Sequence, residues 1–396
     1  MCGLHRTITA AVVSPLLPEP PVTGGQKRTL RLLEAMERAG LHPHVLTADP
    51  GREGAVERLR ARGWEVDVIV EPPPGALARL RQHAARLPSP LLHRLAGRFA
   101  EVASRAALVQ FEHTQSAYYA APERVPSILS LHNVDSSVAR SAAQQRRRGS
   151  MQWLREHNRA AALRVVERRV LPLADRVLCV SEEDATAVSR AGGRALLAPN
   201  GVDDEFFIPP QADSGERALF FGHFGYEANR RGIERFLAEG WPRVRHLRPG
   251  ARLALAGGGM DEALRMRLAA VDGVEVLGLV ADLPGVLAAA RAVVVPIWEG
   301  GGTRLKVLEA LASGRPVVAT ALGASGVGFQ DGRHGLLGER PDELAGALAV
   351  LLADPDRASA MGAEGRVLAE RYRWPEALAG ASALYAQVVS RHRANT

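Results

Sequence analysis

The stretch that most constrains this chain is Pro296–Thr320, PIWEGGGTRLKVLEALASGRPVVAT. An apolar run, Ala292–Ile297, leads in and ends at Trp298. Three glycines follow, Gly300, Gly301 and Gly302. Thr303 then stands where it can cap a helix that runs to about Ser313, and Gly314 stops it. Pro316–Thr320 reads as the next strand. Strand, glycine loop, helix, strand is a βαβ unit, and the start of its helix is a natural seat for a phosphate. Arg304 and Lys306 fall in the first helical turn, and Glu309 about two turns in. At ~1.5 Å rise per residue, an anion at the helix start and the Glu309 carboxylate lie roughly 9 Å apart along the axis. That is about the reach from a pyrophosphate to the hydroxyls of its ribose. A capped surface helix carrying an i, i+3 Lys–Glu pair is the plainer reading of the same residues.

A length of 396 residues suggests two domains. Hydrophobic content of 46% with 23% charged residues is that of an ordinary globular protein. The two cysteines, Cys2 and Cys179, leave no disulfide framework and no cysteine metal cluster. Cys179, in the apolar run RVLCVS, reads as a small buried hydrophobe. No apolar stretch approaches a membrane span. Thr7–Leu17 is short and reads as a first buried strand, so the expected compartment is cytoplasmic. The net charge of +7 is unevenly spread: residues 1–200 carry +9 and the rest −2. Only two of the 50 basic residues are lysines, Lys27 and Lys306, and each follows a glycine-rich loop.

Along the chain, Thr7–Ser14 reads as the first strand. Prolines and Gly24-Gly25 then form a loop before a helix from about Gln26 to Ala39. His42–Thr47 and Val66–Val70 are further strands, and residues 75–105 read as two basic amphipathic helices. Those helices either face the core with solvated arginines or form a patch for an anionic membrane surface. Ala107–Glu112 and Ser127–Leu131 are buried strands that run into His113 and His132. An Arg-rich helical segment spans 136–173, and Arg176–Val180 is a strand followed by Ser181 as a helix cap. The Pro-, Asn-, Gly- and Asp-rich segment PNGVDDEFFIPP marks a domain boundary. A second βα series follows from Ala218, and its last strand, Gly335–Glu339, is at most an edge segment. Helices are expected at 341–353, 355–371 and 375–391. Two such series imply two doubly wound α/β domains.

These motifs together resemble the GT-B retaining glycosyltransferases of family 4, the group 1 glycosyl transferases. The resemblance rests on APNGVDDEFFIPP (198–210), FFGHFGYEANRRGIERF (220–236), LALAGGG (253–259), VEVLGLVADL (274–283) and GGGTRLKVLEALASGRPVVAT (300–320). It is dense in the C-terminal half and thinner before it. It implies two Rossmann-like domains facing across a cleft. Residues 1–200 would bind the acceptor and 201–374 a nucleotide-diphosphate sugar, UDP- or GDP-linked. The C-terminal helix, 375–396, would pack back on the first domain. Glu309 is then the acid that holds the ribose diol, since a carboxylate accepts both O–H bonds. The family's first acid of a Glu-x7-Glu pair falls on Gly301 here, and Glu299 is the nearby carboxylate that stands in for it. Phosphate contacts fall to Arg304 and Lys306, with Arg230 and Arg231 as the alternative pair. Gly222, Gly301, Gly302 and Thr303 complete the implied donor site, and Gly24 and Gly25 resemble the loop that approaches the β-phosphate. His132, with His113 as its rival, matches a histidine that contacts the donor sugar.

The implied reaction retains anomeric configuration and needs no metal or other cofactor. No Asp-x-Asp pair stands out as a metal clamp. The acceptor would be a lipid-linked or polysaccharide intermediate, or a secondary metabolite. The basic N-terminal half leaves room for peripheral contact at the inner membrane face. An isomerase on the same scaffold, a nucleotide-sugar epimerase, is the alternative, and the missing first acid counts against it. Nucleic acid is not an expected partner: aromatics are only 5% and no nucleic-acid motif is present.

Overall fold

The computed structural model describes residues 7–49, 51–69, 91–114, 116, 124–209, 215–300 and 305–394. The chain divides into two compact units. The first comprises Met1–Ala143, Arg147–Pro199 and Leu378–Thr396; the second comprises Gln144–Arg146 and Asn200–Ala377.

In the first unit the elements run β1 (Thr9–Val13), α1 (Gly24–Arg38), β2 (His42–Thr47), α2 (Ala55–Ala61), β3 (Glu65–Val68), α3 (Leu91–Ala103), β4 (Leu108–Glu112), β5 (Ser127–Ser130), α4 (Asp135–Gln144), α5 (Met151–Val170), β6 (Arg176–Cys179), α6 (Glu182–Arg190) and β7 (Ala195–Leu197). The strands pair in parallel, in the order β3-β2-β1-β4-β5-β6-β7. Winding turns around between β1 and β4, and a doubly wound sheet opens a crevice at the carboxyl ends of its strands at such a point. One face of the sheet, with Val13, Val109, Phe111, Leu129 and Val177, packs on Leu95, Phe99 and Val102 of α3 and Val188 of α6. Apolar alternation on β4 drives that packing: Val109 and Phe111 face one side, and Gln110 and Glu112 the other.

The second unit holds β8 (Arg217–Phe221), α7 (Glu227–Glu239), α8 (Trp241–Leu247), β9 (Arg252–Ala256), α9 (Glu262–Ala269), β10 (Val274–Gly278), α10 (Leu283–Ala288), β11 (Ala292–Val295), α11 (Leu305–Ala312), β12 (Val317–Ala319), β13 (Gly335–Leu337), α12 (Pro341–Ala353), α13 (Pro355–Glu370) and α14 (Trp374–Ala377). Its parallel sheet is ordered β10-β9-β8-β11-β12-β13 and turns around between β8 and β11. Val293–Val295 and Val317–Ala319 are fully buried. Strands covered by helices on both faces read as unbroken apolar runs for that reason. The last helix, α15 (Ala379–Ala394), belongs to the first unit.

Three helix bounds differ from the sequence reading, and the edge segment agrees with it. Helix α1 starts at Gly24 rather than Gln26, because Thr23 and Gln26 form a reciprocal capping box that draws both glycines into the first turn. Helix α7 starts at Glu227, three residues before Arg230, so Arg230 and Arg231 sit in its second turn and not at its start. The single helix expected over 375–391 is broken at Leu378, where the chain passes from the second unit to the first. Gly335–Leu337 does form a strand, β13, at the sheet edge. Of the basic segment 75–105, residues 75–90 lie outside the described residues. Its remainder, α3, buries its apolar stripe and pairs Arg98 with Asp67 and Glu101, which is the core-facing arrangement.

Candidate functional site

In the second unit, chemistry collects where β8 and β11 end. Gly222 follows β8 with φ of 147°, a conformation open to glycine. A Cβ there would lie 2.9 Å from Lys306 Nζ and 3.0 Å from Asn229 Nδ2. Lys306, in the first turn of α11, donates to Asn229 Oδ1 at 2.6 Å, and its Nζ sits 4.7 Å from the centroid of the Phe220 ring. Asn229 in turn donates to the His223 carbonyl at 2.9 Å. Helix α7 therefore orients the lysine through Asn229. Gly257, after β9, has φ of 139° and touches the Gly222 carbonyl so closely that no side chain fits between them. Glycine backbone thus lines the face to which Lys306 points.

Glu309 lies one turn beyond Lys306 on α11 and is only 7% exposed. At that exposure it is not a solvated surface carboxylate. The next turn is pinned by Ser313, whose hydroxyl donates to the Phe206 and Glu309 carbonyls. Gly301, Gly302, Thr303 and Arg304 lie outside the described residues. Glu299, before them, is nearly buried and stands among arginines: Arg231 Nε at 3.9 Å and Arg146 Nη1, from the second unit's Gln144–Arg146 segment, at 3.0 Å. Arg231 also pairs with Glu227 at 2.5 Å, while Arg230 is half-buried beside it. Trp298 is fixed by its indole N–H to the Glu339 carbonyl at 2.6 Å and by Arg235 stacked at 4.4 Å. The loop entering α11 therefore leaves the sheet from a fixed point.

In the first unit the two strand-end histidines come together. The His113 and His132 rings stack with centroids 3.8 Å apart. His113 holds φ of 67°, unusual for a residue with a side chain and tolerated where neighbours fix it. Burial, then the nearby His132, lowers the His113 pKa to about 3, so its ring is neutral. His132 Nε2 lies 2.9 Å from Glu112 Oε2. Its Nδ1 is buried and has no hydrogen-bond partner among the described residues. A Cβ on Gly25 would stand 2.8 Å from that nitrogen, so the first turn of α1 approaches His132 only because Gly25 lacks one.

Behind His132 lies a buried polar group that sequence reasoning missed. Arg28, Gln110, Glu112 and Tyr385 are all fully buried. Arg28 Nη1 donates to the Ala198 carbonyl at 2.7 Å. Gln110 Nε2 donates to Glu112 Oε1 at 2.6 Å, Thr29 Oγ1 to Oε2 at 3.2 Å, and Tyr385 on α15 to Gln110 Oε1 at 2.7 Å. Burial alone would raise the Glu112 pKa. The His132 and Gln110 hydrogen bonds and the Arg28 cation outweigh it and hold the carboxyl below its ordinary value. A signal was present in the sequence: Gln110 and Glu112 alternate on one face of a central strand, where polar side chains need dedicated partners. Cys179 is fully buried, and burial followed by the Asp184 charge pushes its thiol up to about 12, so it is inert.

Comparison with known proteins gives the family and the fold. Residues 22–206 match the profile described as Glycosyltransferase Family 4, and residues 215–354 the one described as Glycosyl transferases group 1. The chain belongs to this family of GT-B glycosyltransferases. It is 32% identical over 238 residues to a GDP-mannose-dependent alpha-(1-6)-phosphatidylinositol monomannoside mannosyltransferase of Mycobacterium tuberculosis, across 53% of this chain and 61% of that one. It is 31% identical over 254 residues to a D-inositol 3-phosphate glycosyltransferase of Xylanimonas cellulosilytica, across 58% of this chain and 60% of that one. The match thus spans about three-fifths of these curated relatives. A sucrose-phosphate synthase from Thermosynechococcus elongatus superimposes with a TM-score of 0.72 over 97% of this chain and 100% of its own, at 22% identity, which shows the shared fold.

Proposed function

We propose that this protein is a glycosyltransferase that moves a sugar from a nucleotide-diphosphate sugar to a hydroxyl acceptor, with retention of anomeric configuration. The observation that carries the reading is the second unit's arrangement of Gly222, Lys306 and Asn229, with buried Glu309 one turn further along α11. Glu309 accepts the two ribose O–H bonds. Lys306, with Arg304 and the N–H groups of Gly301, Gly302 and Thr303, takes the charge that develops on the leaving pyrophosphate. Arg230 and Arg231 supply further cations to the phosphates. Glu299, two residues before Gly301 in the chain and held near Arg231, stands in for the acid that Gly301 lacks.

His132 contacts the donor sugar through Nδ1, and the first turn of α1 at Gly24-Gly25 approaches the β-phosphate. In the reaction the bond from the anomeric carbon to the phosphate oxygen breaks. The acceptor oxygen attacks on the same face and its proton passes to the departing phosphate. The positioned cations do the work that a metal would do elsewhere, so turnover in a chelator is part of the proposal. Inositol-containing acceptors of the two relatives support a lipid-linked or polyol acceptor, and the basic first half supports action at an anionic surface.

The test is a screen of UDP-, GDP- and ADP-sugars for binding and hydrolysis, with and without chelator. The product's anomeric configuration is read by NMR. Binding and turnover of none of these donors sinks the reading. Conversion of the donor to its epimer in the absence of acceptor replaces it with the isomerase.

A further inference from the structure

We propose that Glu112 is the positioning residue of His132: its carboxylate fixes the imidazole with the proton on Nε2 and so presents Nδ1, beside Gly25, as an acceptor for a substrate hydroxyl. The role of His132 rests on the transferase reading; the pairing itself does not. The carboxylate is fully buried and has Arg28 and Thr29 from α1, Gln110 from its own strand and His132 from the end of β5 around it. An ionised carboxylate can only accept. At 2.9 Å, then, Nε2 must be the donor. A neutral imidazole has one proton, so Nδ1 is left with a lone pair, as in other sites where the bond at one ring nitrogen selects the role of the other.

Two features single out Nδ1 as the ring nitrogen the protein leaves unengaged. It is buried yet unpartnered among the described residues, and an unmet buried acceptor is costly. Gly25, in the first turn of α1, approaches it where any side chain would collide with that nitrogen. Tyr385 extends the chain of contacts. Its hydroxyl fixes Gln110 Oε1, which turns the Gln110 amide N–H toward Glu112 Oε1. The last helix of the chain therefore helps to set the tautomer of His132, through two side chains.

The experiment uses full-length protein labelled with 15N in its 12 histidines, the His132 signal being assigned with His132→Gln. Long-range 1H–15N correlation at alkaline pH reads the tautomer directly, and transfer kinetics are measured on the same samples. Wild type should show His132 protonated on Nε2. In Glu112→Gln the carboxamide oxygen keeps the Gln110 bond and its NH2 faces Nε2, so the proton should move to Nδ1. The turnover number should then fall roughly tenfold to hundredfold with the donor Michaelis constant little changed. Tyr385→Phe should give a mixed tautomer and a smaller loss, roughly two- to fivefold. Protonation on Nδ1 in wild type, or on Nε2 in Glu112→Gln, overturns the proposal. A tautomer that inverts while turnover holds removes His132 from the reaction, and the positioning role falls with it. Wild type with the stated tautomer and no turnover on any nucleotide sugar leaves the pairing standing and defeats the transferase reading instead.

Discussion

The two units share a strand topology and build their sites by opposite means. In the first, polar chemistry lies inside the fold: an arginine, and a carboxylate with its amide and hydroxyl partners, sit buried beside the central strand β4. In the second, the strands are apolar, and among the described residues none of the buried charged side chains lies on one. Its polar groups are Asn229, Glu299, Lys306 and Glu309, on helices and in the loop after β11, with glycine backbone beside them. A strand-borne group is held rigidly but must have every bond satisfied internally. A helix-borne group at a glycine loop leaves backbone N–H groups and space for a ligand to complete. The first design suits orientation of one atom, here Nδ1 of His132. The second suits capture of a large anion.

The contrast predicts where each unit is fragile. Arg28→Met should cause the largest effect, a loss of about 3–5 kcal/mol in folding stability, because it removes a buried cation whose charge favours the ionised Glu112. It also strips the Ala198 carbonyl of its donor. Chemical denaturation of the purified variant measures it, and a loss below about 1 kcal/mol would break the comparison, since that is what surface pairs give. Glu309→Gln should leave the denaturation midpoint near wild type and weaken nucleotide-sugar binding roughly tenfold to hundredfold, as expected for losing charged acceptance of two hydroxyls. Calorimetric titration reads it, and normal donor affinity would remove Glu309 from the ribose contact.

The smallest effect is one of pH. His113 titrates at about 3 in the fold against an ordinary 6.5. Between those values the unfolded chain binds a proton that the folded chain refuses, so stability rises with pH through that window and falls on acidification. His113→Asn keeps a residue that tolerates the left-handed backbone and removes the titration. It should flatten the stability-against-pH slope in that window by about one proton. Glu112, held below its ordinary carboxyl value, adds a further loss only at more acid pH. An unchanged slope in the variant would mean that His113 is solvated and that the first unit is less closed than its partner atoms indicate.

Much of this was legible in the residues. The βα alternation, the apolar strands of the second unit and the cap residue Ser181 follow from periodicity and local hydrogen bonding, which need no distant partner. Lys306 and Glu309 share a helix, so their spacing was set by the chain itself. Asn229 as the partner of Lys306 was not legible, because 77 residues separate them. Nor was the meeting of Gly25 with His132, or of Tyr385 with Gln110, which are 275 positions apart. The sequence by itself determined the class of fold, the family and the presence of one chemistry-bearing helix start. Only the tertiary structure decided which nitrogen of His132 is engaged, whether Glu309 is solvated, and that the last helix reaches the centre of the first sheet. The physical reason is that periodicity reports which face of an element is buried, whereas the pairing of polar groups depends on where distant strands and helices come together.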